Sequence, residues 1–350
     1  MIDWITAVIP YEHEPLNSGS VFKIDPSGEV EWQAPCRLSV EGSHEQTIQV
    51  KSQGGSGTGK ATELVIHGNP AKFLQGHNIF GSDDLLSLMA ATFKSLCQTL
   101  GLTPPRHVLA DVATGRYRLT RVDVNYLFEL KTAADVRSWI RAAEFKSKTR
   151  HGRPSTKAGT VYWGKHSRRW SIKAYSKGEE ITASKSHKLP ERFATTPLAQ
   201  FAENKLRIEL TLRSKELDKI QLSNAQSWSL KLPSQIFNDY LKRIEMSEQI
   251  TLTTDKLNEL PRALKGTYLL WSNGQSMRDN LSKPTFYRHR KELMKYGIDI
   301  NIAVDQVDRS NVVPLVRVLE AKPVATPSWA YDLNLIHRSE KEKGKQHAAA

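Results

Sequence analysis

The residues of this chain best suited to chemistry lie around Tyr175. In the segment from Arg168 to Lys177, Trp170, Ile172 and Ala174 alternate with Ser171, Lys173, Tyr175 and Lys177. A strand has a period of two, so Lys173, Tyr175 and Lys177 share a face. Ammonium groups on both sides favour phenolate and attract a phosphodiester. Two further segments alternate in the same way. In 121–128 the polar positions are Arg121, Asp123 and Asn125, and in 205–213 they are Arg207, Glu209, Thr211 and Arg213. If the three strands share a sheet, one face packs on helices and the other displays a tyrosine, two carboxylates and several cations. Asp123 and Glu209 could then hold a hard divalent cation, Mg2+ or Mn2+. A tyrosine so placed can attack a DNA phosphodiester, leaving a 5′-phosphotyrosine and a free 3′-OH. Alternation alone equally describes an ordinary half-solvated antiparallel sheet.

Charge points to a polyanionic partner. The 350 residues carry 50 Lys and Arg against 37 Asp and Glu, a net charge of +13. From Lys146 to Lys177 there are ten basic residues and no acidic one, with Tyr162, Trp163, Trp170 and Tyr175 interleaved. Cations neutralise phosphates and aromatic faces stack on unpaired bases, so this segment reads as a nucleic-acid surface, with a solvated basic loop as the alternative. Arg168, Arg169 and Lys173 are its candidate phosphate contacts. No apolar run approaches a membrane span, and two cysteines, Cys36 and Cys97, cannot build a disulfide framework. The N-terminal residues lack the pattern of a signal peptide, which leaves the cytoplasm as the expected compartment.

The surrounding elements are legible from periodicity and caps. Residues 1–80 read as short strands, with one hairpin turning at Pro26-Ser27-Gly28 and another at Gly54–Lys60. The second turn fits G-x-x-x-x-G-K, but Ala61 and a strand follow where a phosphate loop needs Ser or Thr and a helix. His13, between two glutamates, reads as a solvated turn. A helix is predicted from Ser82 to Gly101, stopped by Pro104-Pro105, and a second from Thr132 to about Lys146 with Asp135 in capping-box position. Strands are expected at about 117–130, 169–177 and 205–213. Beyond about 230 the pattern is helical to about 297. There the segment from Ser282 to Gly297 has a Pro start, a Gly stop, apolar Phe286, Leu293 and Met294, and basic Arg288, Arg290, Lys291 and Lys295. With a preceding helix near 261–271 it suggests a helix-turn-helix-like unit, or a merely basic surface helix. Tyr162 reads as core or base-stacking more readily than as a second nucleophile.

Several segments, in order along 1–330, resemble the gene II replication initiators of filamentous phages, the rolling-circle nickases. They are Met1-Ile2-Asp3, Pro70 to Ser82, Arg121-Val122-Asp123, Lys173-Ala174-Tyr175-Ser176-Lys177, Arg207-Ile208-Glu209, and Asn311 to Arg317 with Trp329 downstream. The resemblance implies site-specific nicking and rejoining of a phage origin strand, with Tyr175 as nucleophile; Lys177 stands two residues on, where the broader class often has Tyr-x-x-x-Lys, and is its proton partner or a phosphate clamp. It also implies double- and single-stranded origin DNA, a host helicase and a replication polymerase as partners. Rolling-circle initiators more broadly carry a His-x-His metal motif, which this chain lacks. Asp123 and Glu209 are then the metal candidates by strand phase, and His77 a third by its place in the 70–82 segment. The other reading of His77 is a loop histidine whose imidazole bonds backbone.

The expected architecture is α+β. An antiparallel sheet with helices on one face forms a catalytic region over 1–228, a mostly helical DNA-binding region follows over 229–340, and 341–350 is a disordered tail. The rival function is a non-catalytic, sequence-specific DNA-binding regulator, which needs neither Tyr175 nor metal.

Overall fold

The computed structural model describes residues 1–350 apart from 17–18, 56, 151, 184–187, 247–253, 274, 297, 299, 301–321 and 339–350. The first half runs β1 (Ile2–His13), β2 (Ser20–Ile24), β3 (Val30–Pro35), β4 (Leu38–Glu41), β5 (Thr47–Gln53), β6 (Ala61–Gly68), α1 (Pro70–Gln75), α2 (Leu85–Leu100), α3 (Arg106–Thr114), β7 (Arg118–Glu129), α4 (Ala133–Lys146), β8 (Ser147–Lys148), β9 (Ser155–Lys157), β10 (Thr160–Trp163) and β11 (Trp170–Ser176). The second half runs α5 (Lys177–Ala183), α6 (Leu198–Ala202), β12 (Lys205–Arg213), α7 (Ser214–Lys219), α8 (Leu232–Leu241), β13 (Glu245–Met246), α9 (Thr254–Glu259), α10 (Arg262–Ser272), α11 (Met277–Asn280), α12 (Lys283–Met294) and α13 (Ser328–Asp332).

The fold is α+β around one nine-stranded antiparallel sheet, ordered β4-β5-β6-β1-β7-β12-β11-β10-β9. The three strands singled out by alternation are adjacent in it: β12 lies between β7 and β11. Their apolar residues, with Ile2, Ile5 and Ile9 of β1 and Trp163 of β10, form the main core against α2, α3, α4, α7 and α8. Local signals place these helices. Thr132 and Asp135 make the reciprocal capping box of α4, and Asp84 caps α2, which ends at left-handed Gly101.

The polar face is not the half-solvated surface of the alternative reading. Arg207, Glu209 and Thr211 on β12 are all buried. A second, smaller layer covers that end of the face: Ile79, Phe80, Leu127, Ile181, Phe193, Leu198, Ala202, Ala330 and Leu335 pack together there. Apart from Leu127 of β7 itself, its members come from the 76–82 loop, α5, the turn at Glu191–Phe193, α6, α13 and Leu335 beyond it, so one end of the sheet is covered on both sides.

The packing also crosses the boundary expected at 228/229. Helix α8 contributes Ile236, Phe237, Tyr240 and Leu241 to the main core, and β13 pairs with β8. Residues 324–337 return to the body, where the Val324 amide donates to the Leu127 carbonyl at 2.8 Å and the His337 amide to Gln75 Oε1 at 2.9 Å. Between these, α10, α11 and α12 enclose a core of their own with Leu264, Tyr268, Trp271, Met277, Phe286 and Leu293. On α12, His289 rather than Met294 completes the buried face; its Nδ1 meets Thr267 Oγ1 at 2.8 Å, and Met294 is exposed. Segment 311–317 and the tail 341–350 lie outside the described residues.

Candidate active site

Cross-strand register arranges the polar face in rows. Tyr175 lies opposite Arg207, which lies opposite Leu127. The next row is Tyr162, Lys173, Glu209 and Asn125. The third is Ser171, Thr211, Asp123 and Trp4. Rows are about 7 Å apart and strands about 4.8 Å, so Glu209 is a diagonal neighbour of both Tyr175 and Asp123. Tyr175 and Asp123, two rows and two strands apart, are separated by roughly 16 Å between Cα atoms.

Tyr175, Tyr162 and Lys173 line a cleft of about 510 Å³ with Lys157, Gly159, Ser176 and Glu180. Tyr175 itself is buried, at 8% exposure, and Lys173 Nζ stands 5.5 Å from its ring centroid. Burial raises the phenol pKa well above its ordinary value; Glu209 adds to this and Arg207 opposes it. This reverses the expectation that the flanking lysines depress it. Lys173 is turned to Glu209 at 2.8 Å. Lys177 is not on the strand at all: β11 ends at Ser176, and Lys177 opens α5 with its ammonium buried against Glu180 and Asn78 Oδ1. Burial, then Arg207, lowers Lys177 to about 8, with Glu180 opposing.

The metal candidates are each otherwise engaged. Arg121 binds Asp123 through two hydrogen bonds, at 2.8 and 2.6 Å, while Lys173 holds Glu209. Burial pushes Glu209 up, against Lys173 and with Asp3 and Asp123 adding. His77 is a core residue: its Nε2 donates to the Leu335 carbonyl at 2.7 Å, the Ile79 amide donates to its Nδ1 at 3.3 Å, and Phe80 and Phe193 meet it edge-on. Neither ring nitrogen has a lone pair left for a metal, so the backbone-bonded reading of His77 describes it. Among the described residues no three His, Cys, Asp or Glu side chains are grouped so as to hold one ion. In this arrangement the carboxylates do not fit a divalent metal unless Arg121 or Lys173 withdraws.

Sequence reasoning left three residues out of the site. Asp3 sits where the pairing of β1 with β7 shifts register between Ile2 and Trp4, and it accepts from Asn69 at 2.6 Å and Asn78 at 2.9 Å. Against its burial, Arg207 and the Asn78 bond hold Asp3 below its ordinary range. Arg207, fully buried, donates through Nη2 to the carbonyls of Asn78 and Ile79, while its Nε and Nη1 lack hydrogen-bond partners. Both polar atoms of the Asn125 side chain also lack partners. The phase of Arg207 and Asn125 was readable from their strands; the Asp3 signal was a polar residue in the otherwise apolar start of β1.

The expected DNA contacts divide. Arg168 and Arg169 are exposed at the far end of β11, roughly 20 Å from Tyr175 by strand rise, and Arg169 reaches Glu216 at 3.5 Å. Trp163 and Trp170 are core residues, not stacking platforms; Tyr162 is half-buried under Lys165 at 4.9 Å. Arg288 and Lys291 are exposed on α12 and Arg290 is half-buried. Gly54–Lys60 is a hairpin tip, and His13 is buried, bonded to Tyr11 and Ser52 and not solvated as expected.

A family model for the N-terminal part of the phage gene II replication-associated protein matches residues 1–231, and one for its C-terminal part matches 252–336. The replication-associated protein of this type from Enterobacteria phage I2-2 is 51% identical over 340 residues, covering 97% of this chain and 98% of that protein. Its counterpart in Enterobacteria phage M13 is 24% identical over 319 residues, 76% of each chain. No solved structure matches the chain. No helix among the described residues is long and apolar enough to cross a membrane.

Proposed function

Because the chain belongs to the family of filamentous-phage gene II replication-associated proteins, we propose that it initiates and terminates rolling-circle replication of a phage genome in the bacterial cytoplasm, by nicking and rejoining one origin strand. The observation that carries this reading is the cleft in which Tyr175 and Tyr162 face Lys173 and Lys157, beside a sheet face bearing Glu209, Asp123 and Arg207. Single-stranded DNA would enter the cleft with its phosphates on the lysines and a base against Tyr162.

Tyr175 Oη attacks phosphorus, the bond to the 3′ oxygen breaks, and a 5′-phosphotyrosine and a 3′-hydroxyl result. Glu209, basic through burial, takes the phenolic proton, Arg207 favours the phenolate, and the Lys177 ammonium supplies a proton to the leaving oxygen. Rejoining reverses these steps. Mg2+ or Mn2+ dependence forms part of the proposal: with Arg121 and Lys173 withdrawn, Asp123 and one oxygen of Glu209 would hold the ion, leaving the other Glu209 oxygen as the base. A bound ion would neutralise charge on the non-bridging oxygens. Helix α12, with Arg288, Arg290 and Lys291, serves duplex-origin recognition, and a host helicase and polymerase act on the nicked product.

One observation favours Tyr162 as nucleophile instead, namely that it is more exposed to the same cleft. The deciding experiment is a covalent-adduct gel with labelled origin DNA, with and without chelator, for wild type, Tyr175→Phe and Tyr162→Phe. Loss of the adduct in Tyr175→Phe alone, with origin binding kept, is expected. Loss in Tyr162→Phe alone moves the role to Tyr162. Absence of any adduct leaves the DNA-binding regulator, and undiminished cleavage in excess chelator removes the metal.

A further inference from the structure

The loop after α1 joins two parts of the molecule. On one side, Asn78 meets charged groups from three elements. Its side-chain Oδ1 accepts from Lys177 of α5 at 2.9 Å and its Nδ2 donates to Asp3 of β1 at 2.9 Å, while the Asn78 backbone carbonyl accepts from Arg207 of β12. On the other side, His77 is pegged to the Leu335 carbonyl and Phe80 meets Trp329 at 5.9 Å. Gln75 fixes the loop internally, donating to the carbonyls of His77 at 3.1 Å and Phe80 at 2.7 Å while accepting from the His337 amide at 2.9 Å. The loop thus faces the candidate site with Asn78 and the C-terminal strap 324–337 with His77 and Phe80.

We propose that Asn78 is a positioning residue of the nicking centre, holding Lys177, Asp3 and Arg207 in register with Tyr175, and that the strap 324–337 keeps its loop seated. The inference rests on the assignment of Tyr175 and deepens it. A neutral amide is suited to this position because it accepts from an ammonium and donates to a carboxylate at once. A carboxylate there would repel Asp3, an ammonium would repel Lys177 and Arg207, and an aliphatic side chain would leave two buried charges short of a partner. Lys177 and Arg207 lie beside Tyr175 in sequence or register, so displacement of either changes the field at the phenol oxygen.

The test uses full-length protein with two independent readouts. One is single-turnover nicking of a single-stranded origin oligonucleotide, as rate and half-saturating concentration. The other is the titration of Lys177 by NMR of protein carrying 13Cε-lysine, which needs no nicking. Asn78→Ala should lower the nicking rate by roughly 10²-fold, the scale of a small misplacement, with the half-saturating concentration little changed. Lys177 should titrate lower in Asn78→Ala and higher in the near-isosteric Asn78→Asp, whose carboxylate pairs with it; Glu180, Arg207 and Asp3 face it in both. Trp329→Ala should slow nicking without weakening oligonucleotide binding, and Trp329→Phe should restore it. Wild-type nicking by Asn78→Ala, or a Lys177 titration unmoved in both Asn78 variants, overturns the role of Asn78, and wild-type nicking by Trp329→Ala overturns that of the strap. Absence of nicking in the wild type itself refutes Tyr175 and leaves the titration to judge the contacts of Asn78.

Discussion

Replacing Lys173 with Met should destabilise the protein by an amount that grows with pH. Lys173 Nζ lies 2.8 Å from Glu209, whose side chain is 3% exposed, while that of Lys173 is 34% exposed. Breaking a fully buried ion pair from one side costs about 3–5 kcal/mol. Solvent screening of the partly exposed lysine reduces this to about 2–3 kcal/mol with Glu209 ionised. Burial already raises Glu209 above its ordinary 4.5, so the folded state binds more protons than the unfolded one above that pH. The stabilisation is complete below the ordinary value and is lost as pH rises through the raised one, by up to about 1.4 kcal/mol per unit. Without Lys173 the folded value moves higher, so the loss runs further. Burial holds Glu209 up at about 8, so urea unfolding in chelator-containing buffer at pH 6, 8 and 10 should show a difference below about 1 kcal/mol at pH 6 and 8, growing toward the full 2–3 at pH 10. Lys173→Met with Glu209→Gln should recover most of it, because no charge is then stranded. A pH-independent loss, or a double variant no better than the single, would refute the reasoning.

Gly76 ends α1 at φ +88°, and a Cβ there would collide with Arg192 Nη2 and fall 3.0 Å from the Phe193 ring; Gly76→Ala should cost at least about 1–2 kcal/mol in denaturant melts. The Lys177 ammonium is lost as pH rises through about 8, so single-strand nicking should fall above that pH rather than near 10.5. A rate flat to pH 9.5 excludes Lys177 as the acid. Arg288→Ala with Arg290→Ala should weaken duplex-origin binding and lower its salt slope by roughly one unit for each phosphate no longer neutralised. Cleavage of a single-stranded origin oligonucleotide at high concentration should survive, and an equal loss of both would place α12 in the chemistry.

Alternation along β12 placed Glu209 and Arg207 on one face, and the Thr132 box placed α4, because both signals are local. What alternation cannot carry is which elements later cover a face. A half-solvated face stayed open as a reading because nothing in 205–213 records that the 78–79 backbone, in the loop seated by Phe80, Phe193 and Leu335, covers Arg207. The same limit left His77 open between ligand and backbone-bonded histidine: its residue type suits a ligand, and the carbonyl that occupies it lies 258 residues away. Two of the overlooked helices, α1 and α3, were missed for local reasons. Pro104-Pro105 reads as a stop, yet α3 begins directly after it, at Arg106. Asn69, Pro70 and Gly76 are an N-cap, a first-turn proline and a left-handed stop, but α1 is only six residues long. Lys177 was given the face of Tyr175 on the assumption that β11 continues one residue further than it does.

The strap also sets when the centre can be complete during synthesis. Tyr175, Asp123 and Glu209 can be paired in the sheet once β12 has emerged, but the partner of His77 follows 258 residues after it. At about 5–20 residues per second, His77 waits roughly 13–50 s for Leu335. Until then the Asn78 loop lacks its outer seat. A ribosome-bound chain, or a fragment cut short of residue 335, therefore carries the candidate nucleophile and carboxylates on an unlatched loop. If the proposed function holds, a latch placed this late in the chain reserves strand cutting for molecules that also carry α10 to α12, the candidate DNA-reading helices preceding it.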